Sequence, residues 1–433
     1  MSMSCLQSTC RVACAALGAL VMGTLAAPAL RAQELSFNAA LERAQQVAPG
    51  LQARAAQLVA AHEDAARATA LPDPRLLLGL SNVPVEGAHA FDLRVDDMTM
   101  KQVGLMQEIP ARAKREARAA LAASRIDAAQ AEQAATRLRV REATAQAWIA
   151  LWAAQAMLDA LDAQREQAQL AAELAKARLA GGGGSAVDAL AAQAAMLDLD
   201  NRRDIAQGQV EAARAALARW LDVEPGTLHA AGEPPDFGTL PVAEAQLFAQ
   251  LDRHAALLPW QARSELAQAA VDAAVAEKRP DWSIEASYGQ RSRSPRGMPR
   301  EDMLMVEVAV GLPLFTRNRQ DRDIAARRAD LAAVEAEHED ARRAQLDALR
   351  QALAQWHALQ RLVERKQAQL LPLAHDRSQT ALAAYRGGGA LQPWLDARRD
   401  ELDLHIDHAT HLGELGRAWA ALAFLLPAAE AQP

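Results

Sequence analysis

Hydrophobic positions along this chain follow two periods, which alternate in blocks. From about residue 113 to 180, and again from about 319 to 386, the pattern is helical without a break. Neither stretch contains glycine, and Pro372 is the only proline in either. In the second stretch Leu346, Leu349, Leu353, Trp356, Val363 and Leu370 recur at spacings of three and four, with Gln360 and Gln367 completing a narrow heptad seam. At 1.5 Å per residue each stretch predicts a rod of order 100 Å, whereas the mean helix of a globular protein has about 11–12 residues. Gly-rich turns follow at 181–184 and 387–389, and return helices are expected from Ser185 and Leu391.

Ahead of each rod the period drops to two. Trp282, Ile284, Ala286 and Tyr288 share one face, with Ser283, Glu285 and Ser287 on the other. Leu304, Val306, Val308 and Val310 likewise oppose Met303, Met305 and Glu307. Strands are expected at 75–81, 98–109, 282–288 and 303–314, the first pair alternating less cleanly. Loops rich in Pro, Gly and charge separate them at 83–97 and 289–302. Helix pairs are expected at about 36–70 and 242–278, split by Pro49 and Pro259 because proline lacks an N–H and disfavours helical geometry in the residue before it.

The order is written twice. Pro72-Asp73 returns as Pro280-Asp281, Asp127 with Glu132 as Asp330 with Glu335, and Leu197-Asp198-Leu199 as Leu402-Asp403-Leu404. Arg219-Trp220 resembles Arg417-Ala418-Trp419. The offset stays between 203 and 208 residues for the first three matches and is 198–199 for the last, which predicts a duplicated module covering 33–228 and 229–433 rather than a solenoid.

Residues 1–32 carry Arg11 ahead of an apolar run at 12–25, followed by Ala26, Ala27 and Ala29, and contain no acid. This is a secretory signal pattern with cleavage after Ala29 or Ala32, and the run is too short for a spanning anchor. Its removal takes the net charge from −7 to −9 and removes all three cysteines. A disulfide framework and a cysteine zinc site are thereby excluded. Acylation of a mature N-terminal cysteine is not expected, because Cys14 does not follow the apolar run. The acidic balance argues against nucleic acid as a partner. Aromatic content of 4% in 433 residues points to long helices, not a β-rich core. No later stretch approaches 18 consecutive apolar residues. No P-loop, His-Glu-x-x-His, Gly-x-Ser-x-Gly or cysteine nucleophile appears, and residues 181–184 lack the Lys-Ser/Thr of a phosphate cradle. An enzyme is not expected, nor a cofactor.

These pieces constrain one another. Backbone polar groups in lipid must all be paired, so strands span only as closed barrels. Four strands cannot close around a pore, whereas three chains would supply about twelve. The expected fold is mainly α with a small membrane β-barrel portion: a homo-oligomeric conduit, barrel in the outer membrane and helical tube in the periplasm.

The residues that carry the family likeness are Ala44-Gln45-Gln46-Val47-Ala48-Pro49, the helix end at Leu71-Pro72, and Gly104-Leu105-Met106-Gln107-Glu108-Ile109-Pro110. To these add Val310-Gly311-Leu312-Pro313-Leu314-Phe315 and the tips Arg178-Leu179-Ala180-Gly181 and Tyr385-Arg386-Gly387. In this order the sequence resembles the TolC-like outer membrane efflux proteins over nearly all of residues 33–433. The resemblance implies a homotrimer with a twelve-stranded β-barrel and a periplasmic α-barrel. It also implies docking to a periplasmic adaptor (membrane fusion) protein and an inner-membrane transporter of the resistance-nodulation-division type. Gln107-Glu108-Ile109-Pro110 followed by Lys114-Arg115 looks most like the heavy-metal-cation branch. The usual Pro-Gly-Lys of that branch is here Pro110-Ala111-Arg112-Ala113-Lys114. Multidrug efflux and type I secretion use the same fold. A soluble periplasmic coiled-coil adaptor or scaffold is the reading of another class, but adaptors lack the duplication and carry a lipoyl-like domain not found here.

Asp396 stands where the family places a pore-lining acid at the closed aperture, and Pro393 replaces the acid one turn earlier. Asp188 is its counterpart in the first copy. Both are equally readable as acids placed by the helix dipole. Gly181, Gly184 and Gly387, with Arg178, Tyr385 and Arg386 beside them, are the docking tips implied by the resemblance, and the glycines also serve simply to reverse the chain. His405, His408 and His411 are spaced three apart; a pair of them could share a metal, but the three do not lie on one face and a polar helix surface is the favoured reading. Met98, Met100, Met303 and Met305 lie at period two and could offer thioethers to a soft cation, or fill space.

Overall fold

The computed structural model describes residues 33–427; the expected signal segment lies outside them. The chain opens with strand β1 (Gln33–Leu35), then helices α1 (Phe37–Val47) and α2 (Pro49–Ala68), meeting at Ala48-Pro49. Ser36 caps α1 by accepting from the Ala39 N–H. Strands β2 (Arg75–Ser81) and β3 (Met100–Ile109) lead into α3 (Arg112–Ala180), a single helix of 69 residues, and α4 (Ala186–Leu221) runs back along it. Strand β4 (Leu228–Ala230) straddles residues 228 and 229 and pairs in parallel with β1. After α5 (Glu244–Ala249) and α6 (Trp260–Ala276) come β5 (Asp281–Arg291), β6 (Met303–Gly311) and α7 (Gln320–Arg365). A π turn at Lys366–Leu370 joins α7 to α8 (Leu371–Arg386), and α9 (Gln392–Ala423) returns.

Two departures from the sequence expectation have physical causes. The helix expected from 242 shrinks to the six residues of α5 and a 3₁₀ turn at Leu251–Arg253. There the buried His254 ring binds the Leu247 carbonyl through Nε2 (3.0 Å), taking the acceptor a longer helix would use. Just upstream the backbone serves the core: Trp356 Nε1 donates to the Phe237 carbonyl (2.9 Å) and Trp419 Nε1 to that of Thr239 (2.7 Å). Second, the long rod is not uniformly α. Pro372 supplies no N–H, and the ladder widens to the π turn just before it.

The main core sits near the middle of the rods, where Phe37, Trp148, Phe237, Trp356, Trp419 and Phe424 are buried with Leu349, Leu353 and Val363 of the seam. Smaller apolar clusters continue toward the turns, around Leu161, Leu199 and Leu402 and then around Ala175, Ala192, Tyr385 and Leu391. Helices α3 and α9 touch closely: a Cβ on Gly416 would lie 2.7 Å from Ile149 Cγ2. No described helix is long and apolar enough to cross a membrane.

Candidate functional site

The four longer strands form one antiparallel sheet in the order β2-β3-β5-β6. Register fixes its faces, because directly opposed residues point the same way. Leu78, Val103, Tyr288 and Leu304 form one row. Leu76, Leu105, Ala286 and Val306 form the next, and Ile284 with Val308 and Trp282 with Val310 extend the same face. This apolar face is exposed, Leu78 at 74% and Val306 at 67%. The opposite face, bearing Met100, Gly104, Glu285, Ser287 and Glu307, is the more covered one in β3 and β5, with Ser287 at 5%. A sheet in water buries its apolar face. This one is inside-out, as a lipid-facing wall must be. Glu285 and Glu307 oppose each other on the polar face, an arrangement of like charges that weakens a strand pair.

The helix end of the sheet is fastened to the rods. Lys114 of α3, only 6% exposed, binds Asp281 Oδ2 at 2.7 Å and Glu277 Oε2 at 3.2 Å, and the Ala111 N–H donates to Asp281 Oδ1 (3.0 Å). Thus the Lys114 noted in the sequence joins the start of the rod to the start of β5.

At the far end of the rods the turn glycines meet real constraints. Gly182 and Gly388 take φ values of +72° and +96°, and a Cβ on Gly184 would fall 2.8 Å from the Leu179 nitrogen. Gly181 and Gly387 cap α3 and α8 with ordinary negative φ. The sequence-predicted tip residues converge only in part. The Arg178 guanidinium lies 4.4 Å over the Tyr385 ring, and that ring stacks on Trp394 at 5.8 Å. The sequence reading missed Trp394, although its place beside Pro393 in the return helix was visible. Arg386 is exposed.

The two acids differ. Asp188 lies in the first turn of α4, behind a Ser185 cap, where the helix dipole favours it. Asp396 lies beyond the first turn of α9, which holds no acid, so the dipole does not account for it. It accepts from Gln392 Nε2 (2.8 Å) and lies 3.7 Å from Arg399.

Between the tips and the core, polar contacts tie the return hairpin to its neighbour: Arg202 of α4 pairs with Asp403, and Arg398 of α9 with Gln164. Glu401, 2% exposed, is held by Arg398 and His375. Burial alone would raise its pKa, but hydrogen bonds from His375 and Ser378 and the charge of Arg398 outweigh that and hold it below the ordinary value.

The remaining candidates are the histidines of α9 and the strand methionines. Among the described residues no group of three or more His, Cys, Asp or Glu is placed to hold an ion. His411 Nδ1 lies 3.1 Å from the buried Lys366 ammonium, and the His408 Nε2 is buried without a hydrogen-bond partner. Burial lowers the His408 pKa, with His405, Lys366 and His411 acting in the same direction. Met303 and Met305 are exposed on edge strand β6, Met98 is exposed beside its loop, and Met100 is buried against Gly289.

Residues 27–222 and 249–427 match the family model for outer membrane efflux proteins, which is well over half of the chain. The chain belongs to that family. Among solved structures, the fold is similar to a membrane protein of Pseudomonas aeruginosa at a TM-score of 0.74 and 17% identity, covering 90% of this chain and 92% of that one. It is similar to the outer membrane protein VceC of Vibrio cholerae at 0.70 and 20%, covering 89% and 94%. It is also similar to the CmeC outer membrane channel of Campylobacter jejuni at 0.68 and 14%, covering 91% and 87%. Comparison with curated proteins gives no significant match. As an outer membrane efflux protein the chain is a passive channel rather than an enzyme, placed in the outer membrane with a periplasmic tunnel. Channels of this family form trimers within tripartite pumps.

Proposed function

We propose that three copies of this chain close their sheets into a twelve-stranded barrel and conduct heavy-metal cations outward, passively, from a periplasmic adaptor and an inner-membrane transporter of the resistance-nodulation-division type. The observation that carries the barrel is the inside-out sheet, whose edge strands β2 and β6 have no further partner strand among the described residues. Support for a cationic cargo comes from the polar face. It opposes Glu285 to Glu307 and carries Met106, Met303 and Met305, soft and anionic groups that attract such ions. Asp396 and Asp188, repeated by threefold symmetry, form the acidic aperture. The tips around Arg178, Gly181, Gly184, Tyr385, Arg386 and Gly387 receive the adaptor. The halves 33–228 and 229–433 are read as copies of one module.

The discriminating experiment compares a deletion strain with its parent over a panel of metal salts and antibiotics. Sensitisation to metal cations alone supports this cargo. Sensitisation to antibiotics alone replaces it with the multidrug reading.

A further inference from the structure

We infer that Arg300 is a positioning residue for the outer mouth of the channel: it locks the two helix-distal loops into one rim, and that rim limits the size of what leaves. The inference rests on the proposed closure of the sheet into a channel.

The loops at 82–99 and 292–302 join β2 to β3 and β5 to β6 at the end of the sheet away from the helices, which is the exterior for a channel whose tunnel is periplasmic. Adjacent antiparallel strands need only about two to five residues to turn. The first loop is far longer, and it is braced throughout. Asn82 Nδ2 donates to the Met98 carbonyl (3.2 Å), Thr99 Oγ1 to that of Asn82 (2.7 Å), and Asp96 Oδ1 accepts from the Met98 N–H (2.6 Å). Phe91 is held at φ +62°, its N–H bonded to the Pro84 carbonyl at 2.7 Å. A bulky residue keeps that backbone only where its surroundings over-determine it.

The brace comes together on one side chain from the other loop. Arg300 Nη1 lies 2.9 Å from the Arg94 carbonyl, 3.1 Å from that of Asp96 and 3.3 Å from that of Ser292. Nη2 lies 3.3 Å from the Val95 carbonyl and pairs with the Asp97 carboxylate. Three successive carbonyls of the first loop and one of the second therefore surround a single, mostly buried guanidinium. Its planar fork reaches several acceptors at once, and a lysine ammonium has no such reach. Without it these carbonyls lose a common donor, and no other hydrogen bond or ion pair among the described residues ties residues 94–97 to the second loop.

The test uses the full-length protein reconstituted in planar bilayers, comparing Arg300→Ala and Arg300→Lys with their parent in a Tyr385→Ala background, so that the helical tip at the other end is not the limiting constriction in series. The alanine variant is expected to conduct roughly twofold more and to admit larger polymers in a solute-exclusion series, because a constriction sets both. Trypsin should cleave it faster after Arg94. The lysine variant should fall between, and it decides the matter if the alanine variant does not assemble. Unchanged conductance and exclusion overturn the inference even if the loop is cleaved faster, as does a loop that stays protected. A wild-type protein that forms no pore overturns the barrel and this inference with it.

Discussion

The Arg178 guanidinium at the end of α3 lies over the Tyr385 ring at the end of α8, which in turn stacks on Trp394 in the first turn of α9. Three helix ends from two hairpins are thus joined by ring faces rather than by backbone hydrogen bonds. Such contacts contribute about 0.5–1.5 kcal/mol each, strong enough to hold a resting position and weak enough to be exchanged. Tyr385→Ala should release the α8–α9 tip. The expected result is higher spontaneous conductance of the isolated channel, and greater sensitivity of cells to large antibiotics that ordinarily do not cross the outer membrane.

The helix dipole does not account for Asp396, and the proposed aperture gives its charge a role. Asp396→Asn keeps the side-chain volume and the contact with Gln392 but removes the charge. Reversal potentials in asymmetric salt should shift toward lower cation preference, while Asp188→Asn, in a position the dipole already favours, should shift them less. Equal shifts would separate the aperture from Asp396.

The faces of β6 allow a paired test with neighbouring residues. Val306→Arg puts a charge on the apolar face, which costs about 2–4 kcal/mol near the bilayer midplane. Met305→Arg places the same charge one residue away on the polar face. The first should reduce the amount of heat-modifiable protein in outer membrane fractions, and the second should leave it near the wild-type amount.

His254 contributes a pH dependence with a definite sign. Burial pushes its pKa below the free value of about 6.5, opposed in part by the Leu247 carbonyl and by Asp252. With Nε2–H donating to Leu247, Nδ1 accepts from Gln345 (3.1 Å), so the neutral ring is the one the site holds. Its stabilisation is complete above the unfolded value and is lost as pH falls through the folded one. Thermal unfolding should come at lower temperature at pH 5 than at pH 7.5. His254→Gln should flatten that difference, at a cost of about 1–3 kcal/mol from the Leu247 carbonyl and the Gln345 amide left imperfectly paired.

Period alone located the strands and rods because each is long and has one consistent face. The strands at 75–81 and from 303 were legible to the residue, and both Gly turns were legible from composition. What escaped the sequence depends on partners remote in the chain. The β1–β4 ladder joins Gln33 to Leu228 across nearly two hundred residues. The shortening of α5 follows from where one histidine ring points, and the burial of Met100 from the cross-strand glycine at 289. Candidate tip residues were legible because helix ends announce themselves. The role of Trp394 was not, since it needs Tyr385 to arrive from the other side of the turn. The cluster at Arg300 carried no local signal, because all its partners but the Asp97 carboxylate are backbone carbonyls, which every residue has.

The central claim is that four strands per chain become a pore only by borrowing the rest of the wall from two further copies. Its most direct test is the native mass and bilayer conductance of the purified protein. The account predicts a trimer that opens discrete channels, and a monomer that forms none would contradict it.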